Sequence, residues 1–178
     1  MIFPLFRRSA RPGTISALYG AIVAQARLPG FYRDYGVPDT VEGRFELIVL
    51  HLALLLDRLA EEPELRGLGQ GVFDLFCQDM DNNLRELGVG DLAVPKQMRR
   101  MGEAFYGRAQ AYRTALAAAD DKALVEALAR DIYGGAQGAP ARRLAAYVRE
   151  AIGQLKALDE AALAAGAIGF PQPDSIRD

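Results

Sequence analysis

The chain has 178 residues, enough for one domain with a well-buried core and too few for two of ordinary size. Half of it is hydrophobic and a quarter charged, and 21 basic against 23 acidic residues leave a net charge of −2, so no global field draws it to nucleic acid. A single cysteine, Cys77, excludes an internal disulfide and a cysteine-cluster metal site, and suits a reducing compartment.

The opening, MIFPLFRRSAR, is apolar and then basic, without the apolar run and small-residue cleavage site of a secretory signal. Residues 1–13 read as a flexible basic terminus, in which Arg7, Arg8 and Arg11 are candidate contacts to an anionic membrane surface. A first helix is expected from Thr14, as N-cap, to about Arg27, where LPGFYRDYGVPD interrupts it with prolines and glycines. Asp39 with Glu42 three residues on has the spacing of a capping box and opens a central helix to about Ala60. Inside that helix LIVLHLALLL, residues 47–56, is a ten-residue apolar run. A membrane span needs about twenty, so the run predicts the buried central helix of a soluble core.

Pro63 or the glycines Gly67, Gly69 and Gly71 mark the next break. The helix that follows carries Val72, Phe73, Phe76, Met80, Leu84 and Leu87 at helical spacing, and stops at Leu87 with Gly88 in the C′ place and Val89 folding back on Leu84. Pro95 opens another to about Ala119, with Met98, Met101, Phe105, Ala109, Tyr112 and Leu116 on its core face. Asp120 caps a shorter helix ending at YGGAQG, and Pro140 begins a last one to about Ala165. The tail, 167–178, contains two prolines and reads as extended. The pattern predicts an all-α fold: one compact domain of about six helices over 14–166, without repeats.

The stretch DMDNN, residues 79–83, has the oxygen spacing of a calcium loop, but the sixth and twelfth positions hold Leu84 and Gly90 in place of the turn glycine and the bidentate glutamate. His51 is the only histidine, so a two-histidine metal site or a histidine relay within one chain is impossible. Among leucines it reads as a hydrogen-bonded core residue, with a haem or metal ligand as the alternative. Acids around Cys77 work against a reactive thiolate, and GGAQG lacks the lysine of a phosphate loop. The expectation is of no catalytic residue, no metal and no cofactor.

Charge is segregated between two successive helical segments: residues 74–91 carry five acids against Arg85, and residues 95–113 five bases against Glu103. Mutual attraction of neighbouring helices is the simplest account. Asp79, Asn82, Asn83 and Glu86 nevertheless share one side of a helix, and short Asp and Asn side chains weaken the helix they occupy, so something should compensate. Together with Asp81, Arg99, Arg113 and Tyr106, which lies off the Met98–Met101–Phe105 line, they are candidate contacts for a polypeptide.

FYRDYGVPDTVEGRFELIVLHLALLLDRL followed by LFCQDMDNNLRELGVGDLAVPKQMRRMGEAFYGRAQAY resembles the ubiquinol-cytochrome c chaperone family, assembly factors for the respiratory cytochrome bc complex. The resemblance covers about residues 30 to 150, and its second block is the more specific. It implies a non-enzymatic helical protein that binds newly made cytochrome b and holds it until haem and partner subunits arrive. For such a client Met80, Met98 and Met101 would offer adaptable apolar surface, although for each one singly a place in the core is the simpler reading. A short start implies a bacterial member, cytoplasmic and peripheral at the inner face of the membrane, and leaves a small partner protein and the ribosome open. Two other readings share the same physics: a helical cofactor carrier or enzyme using His51 and the acidic helix, and a generic helical interaction adaptor.

Overall fold

A helix that is apolar on every side must be covered on every side, and the fold is built around that demand. The computed structural model describes residues 12–176. Six helices of eleven residues or more form the body: α1 (Pro12–Ala26), α3 (Val41–Ala60), α4 (Arg66–Glu86), α5 (Val94–Leu116), α6 (Lys122–Ile132) and α7 (Ala139–Ala157). Two five-residue helices, α2 (Pro29–Arg33) and α8 (Glu160–Ala164), and the 3-10 turns Pro63–Leu65 and Pro173–Ser175 complete it. No strand occurs among the described residues. The central helix is α3: residues 49–55 are buried without interruption, and α3 packs against α1, α4, α5, α6 and α7. The outer helices touch in the order α1, α4, α5, α6, α7.

The seam between α7 and α1 is closed by α2 and the tail. Phe31 and Tyr35 are fully buried there, and Phe170, Pro171 and Pro173 are buried too. Gln25 donates from Nε2 to the Pro171 carbonyl at 2.7 Å, and the Tyr35 hydroxyl to the Pro173 carbonyl at 2.8 Å. The tail is thus extended along most of its described length and held by α1 and the Tyr35 loop.

Several helix ends differ from the sequence expectation, each for a visible reason. The cap of α3 is Thr40, whose hydroxyl accepts from the Gly43 N–H at 3.1 Å; Asp39 pairs with Arg44. LPGFYR contains a short helix, α2, because Pro29 occupies a first-turn position where its missing N–H costs nothing. α5 ends at Leu116, whose carbonyl accepts from Arg149 at 2.8 Å. The N-cap of α6 is Asp121, while Asp120 accepts from the Lys122 N–H at 3.0 Å. The last long helix stops at Ala157: the 7 % exposed Arg58 donates to the carbonyls of Leu155 and Leu158, and Asp159 caps a separate α8. At the end of α4 the Gly88 N–H reaches the Arg85 carbonyl and the Val89 N–H the Leu84 carbonyl, with Gly88 at φ 81°: the expected left-handed closure.

His51 lies at the middle of this arrangement with no exposed surface. Its Nδ1 lies 2.7 Å from the Leu47 carbonyl, which only accepts, so Nδ1 carries the proton. Nε2 then accepts from the Tyr147 hydroxyl at 2.7 Å, and that oxygen accepts from Gln25 Nε2 at 3.0 Å. The chain of bonds joins α3, α7, α1 and the tail, and every member has a partner. Phe31 and Phe170 present edges to the ring at 5.6 and 4.9 Å. Burial lowers the His51 pKa to about 4.

Two outcomes follow. Between pH 6.5 and about 4 the unfolded chain protonates His51 and the folded chain does not. Stability from this group is whole above pH 6.5 and lost as pH falls toward 4, about 3 kcal/mol in all. Urea unfolding of the wild type across this range should show that slope, and His51→Gln should show less of it while being less stable at neutral pH. The second concerns Gly43, where an added Cβ would stand 2.0 Å from the Pro38 carbonyl oxygen. Gly43→Ala should therefore lower stability by roughly 2–3 kcal/mol in chemical denaturation.

Candidate functional site

The acidic and basic segments lie on α4 and α5, which pack together through aromatic rings. Phe73 sits 5.1 Å from Phe105 and 5.6 Å from Tyr106, and Phe76 joins from the same helix at 6.1 Å from Phe105. Phe76 and Phe105 are buried and Phe73 partly so, whereas Tyr106 is 62 % exposed. Beside Tyr106 opens a cleft of about 200 Å³ lined by Leu56, Gly69, Phe73, Phe105 and Tyr106, with Arg66 and Gln70 as its polar members.

The two helices do not pair their charges: among the described residues no ion pair links the acids of 74–91 to the bases of 95–113. Two of the bases of α5 turn to α3. Arg108 meets Glu46 at 2.6 Å and Arg113 meets Asp57. Burial, the larger influence, raises the Glu46 pKa against the opposing pull of Arg108. The acids of α4 find other partners. Asp79 accepts the Tyr19 hydroxyl of α1 at 2.7 Å, and Arg85 holds both Asp81 and Asp91. Burial and then Asp79 push the Tyr19 hydroxyl pKa well up. These contacts compensate the helix-weakening Asp residues.

The candidate residues therefore divide. Asp79, Asp81 and Arg113 have partners within the chain, Asp79 in a part-buried bond and the other two in ion pairs at the surface. Asn82, Asn83, Glu86, Arg99 and Tyr106 are exposed, and Arg99 has only Glu103 of its own helix, at 3.9 Å. Nor does the structure gather them at one point. Asn82 follows Phe73, the α4 neighbour of Tyr106, by nine residues, roughly 14 Å along a helix axis. Arg7, Arg8 and Arg11 lie outside the described residues.

The methionines that would offer adaptable surface belong to the core instead: Met80 is 7 % exposed, and Met98 and Met101 pack partly buried against it. DMDNN is continuous α4 helix, which is not the geometry of a calcium loop. Both ring nitrogens of His51 are engaged, so it presents no free lone pair to a haem iron or metal. Burial and Asp74 raise the Cys77 pKa, away from thiolate character. Sequence reasoning counted Leu87 with the apolar stripe of α4 and passed over Leu92; they are 72 % and 99 % exposed at the connection between α4 and α5. The available signal for Leu92 was its place after GVGD, an apolar residue among glycines with no periodic partner.

Comparison with known proteins follows the same residues. The family described as Ubiquinol-cytochrome C chaperone matches residues 33–170. Ubiquinol-cytochrome-c reductase complex assembly factor 1 of Xenopus laevis is 24 % identical over 145 residues, covering 80 % of this chain and 72 % of that protein. The crystal structure of the Cbp3 homolog from Brucella abortus is 42 % identical and superposes with a TM-score of 0.87, covering 99 % of this chain and all of that one. An all-helical body around a buried α3, with the acidic and basic helices of the resemblance adjacent, thus has both a sequence and a structural counterpart, and the chain belongs to the ubiquinol-cytochrome c chaperone family.

Proposed function

We propose that this chain is a non-enzymatic assembly chaperone that binds newly made cytochrome b and supports assembly of ubiquinol–cytochrome c reductase from the inner face of the membrane. The family membership supports the assembly role. The observation that favours a polypeptide client is Tyr106, a large aromatic left 62 % exposed at an apolar cleft while its neighbours Phe73, Phe76 and Phe105 pack inward. An aromatic beside a cleft that takes one apolar side chain is the usual composition of a binding hot spot. A client destined for a bilayer exposes apolar helices before insertion, and a cleft of this size accepts a leucine or phenylalanine side chain from one of them. Asn82, Asn83, Glu86 and Arg99 supply polar contacts farther along α4 and α5. No described helix is long and apolar enough to cross a membrane, which fits a chaperone that visits the membrane without being embedded in it by a helix.

The test separates binding from folding. Tyr106→Ala should leave the thermal midpoint within a few degrees while lowering cytochrome b capture by roughly tenfold and reducing the assembled complex in cells. Full capture by a folded variant would move the client surface elsewhere. Asp79→Ala should behave in the opposite way: it strands the part-buried Tyr19 hydroxyl and lowers stability by about 1–2 kcal/mol, with capture falling only as unfolding explains. Asn82→Ala, remote from the cleft, should add to Tyr106→Ala without coupling, within about 0.5 kcal/mol in a double-mutant cycle of binding.

A further inference from the structure

We infer that the α4–α5 turn and the first two turns of α5 form a lipid-contact site that seats on an anionic bilayer surface, apart from the Tyr106 cleft. Four large hydrophobic side chains are exposed among the described residues, and two of them, Leu87 and Leu92, lie in this turn. Leu92 is 99 % exposed, so none of the described residues covers it.

The leucines are not displayed on loose chain. The closure at Gly88 fixes one end of the turn, and the Gly90 carbonyl accepts from the N–H groups of Ala93 and Val94 at the other. Val94 is fully buried, and Arg85 clamps Asp81 and Asp91 across the turn. A built turn that holds a leucine wholly in water is a display.

Charge names the surface it faces. Lys96, Arg99 and Arg100 are exposed in the first two turns of α5, and three- and four-residue spacing puts them on one side of the helix. That end of a helix already carries positive partial charge, so cations there are unfavourable unless an anion answers them. Within the described residues Lys96 and Arg100 have no ion-pair partner, and Arg99 has only the distant Glu103. Of the nearby acids, Asp81 and Asp91 are held by Arg85, while Glu86 opposes the attraction. An acidic polypeptide would answer the bases and a bare apolar surface the leucines. A bilayer containing anionic lipid answers both, with phosphates above acyl chains.

The experiment uses the full chain with vesicles of phosphatidylcholine and phosphatidylglycerol, against vesicles of phosphatidylcholine alone. Binding is expected to the anionic vesicles and to weaken with salt. Lys96→Gln with Arg100→Gln should lower it roughly twenty-five-fold, since each base near such a surface is worth about a factor of five. Leu87→Ser with Leu92→Ser should lower it by a similar factor with unchanged melting. The chain has no tryptophan, so Leu92→Trp provides a sole reporter. Its emission should shift to the blue on anionic vesicles, while that of Ala146→Trp, on the exposed face of α7, should not shift. Equal binding to both vesicles, none to either, or sedimentation of the Leu92→Trp variant with unshifted emission would overturn the inference, as would binding to an acidic polypeptide without binding to vesicles. None of these readouts contains cytochrome b, so they fail or succeed independently of the client assignment.

Discussion

Burial of α3 on all sides is the constraint from which the rest of the structure follows. A helix whose residues 49–55 are all buried cannot sit at the surface of anything, and five helices are needed to surround it. Each outer helix then needs only one apolar stripe facing α3. Apolar packing is non-directional and does not choose among arrangements of similar volume. The buried polar groups do: His51, Tyr147 and Gln25 can all be bonded only if α3, α7, α1 and the tail hold one register. Arg58 performs the same service at the other end of α3, answering the carbonyls where α7 ends.

The charged residues follow a similar economy. Opposite charge on consecutive helices invites the idea that they attract each other, yet α4 and α5 meet through phenylalanine rings, and Arg108 and Arg113 of α5 are answered by α3. An ion pair between exposed side chains is worth little, so charges add least where apolar contact already joins two helices. Glu46 and Arg108 sit closer to the core, where an unpaired member would be costly, and so they pair.

The proposed contact surfaces are drawn from what the interior does not use. With the aromatic ladder, Met80 and Asp79 turned inward, α4, α5 and the turn between them leave outward Tyr106 at its cleft, the amides of α4, and leucines and bases. These groups lie on one helical hairpin. Both proposed contact surfaces thus fall on a single supersecondary unit.

Much of this was legible in the residues. The all-α class, the buried run of α3 and the Gly88 closure rest on local spacing and composition, which a linear chain states directly, and the family resemblance on two blocks of residues in order. Helix ends were less legible, because Thr40 against Asp39, or the stop at Ala157, depends on which neighbour offers a partner, and Arg58 is about a hundred residues away from the carbonyls it answers. The candidate residues behaved likewise. Spacing placed Asp79, Asn82 and Glu86 on one side of a helix, but only packing could assign Asp79 to Tyr19 and leave Asn82 and Glu86 to solvent. The sequence by itself determined which segments are helical and which of them must be central, since these follow from the order of apolar residues. The tertiary structure alone decided which polar side chains are consumed inside and which remain available, because a hydrogen bond or ion pair between residues far apart in the chain exists only when the fold brings them within about 3 Å.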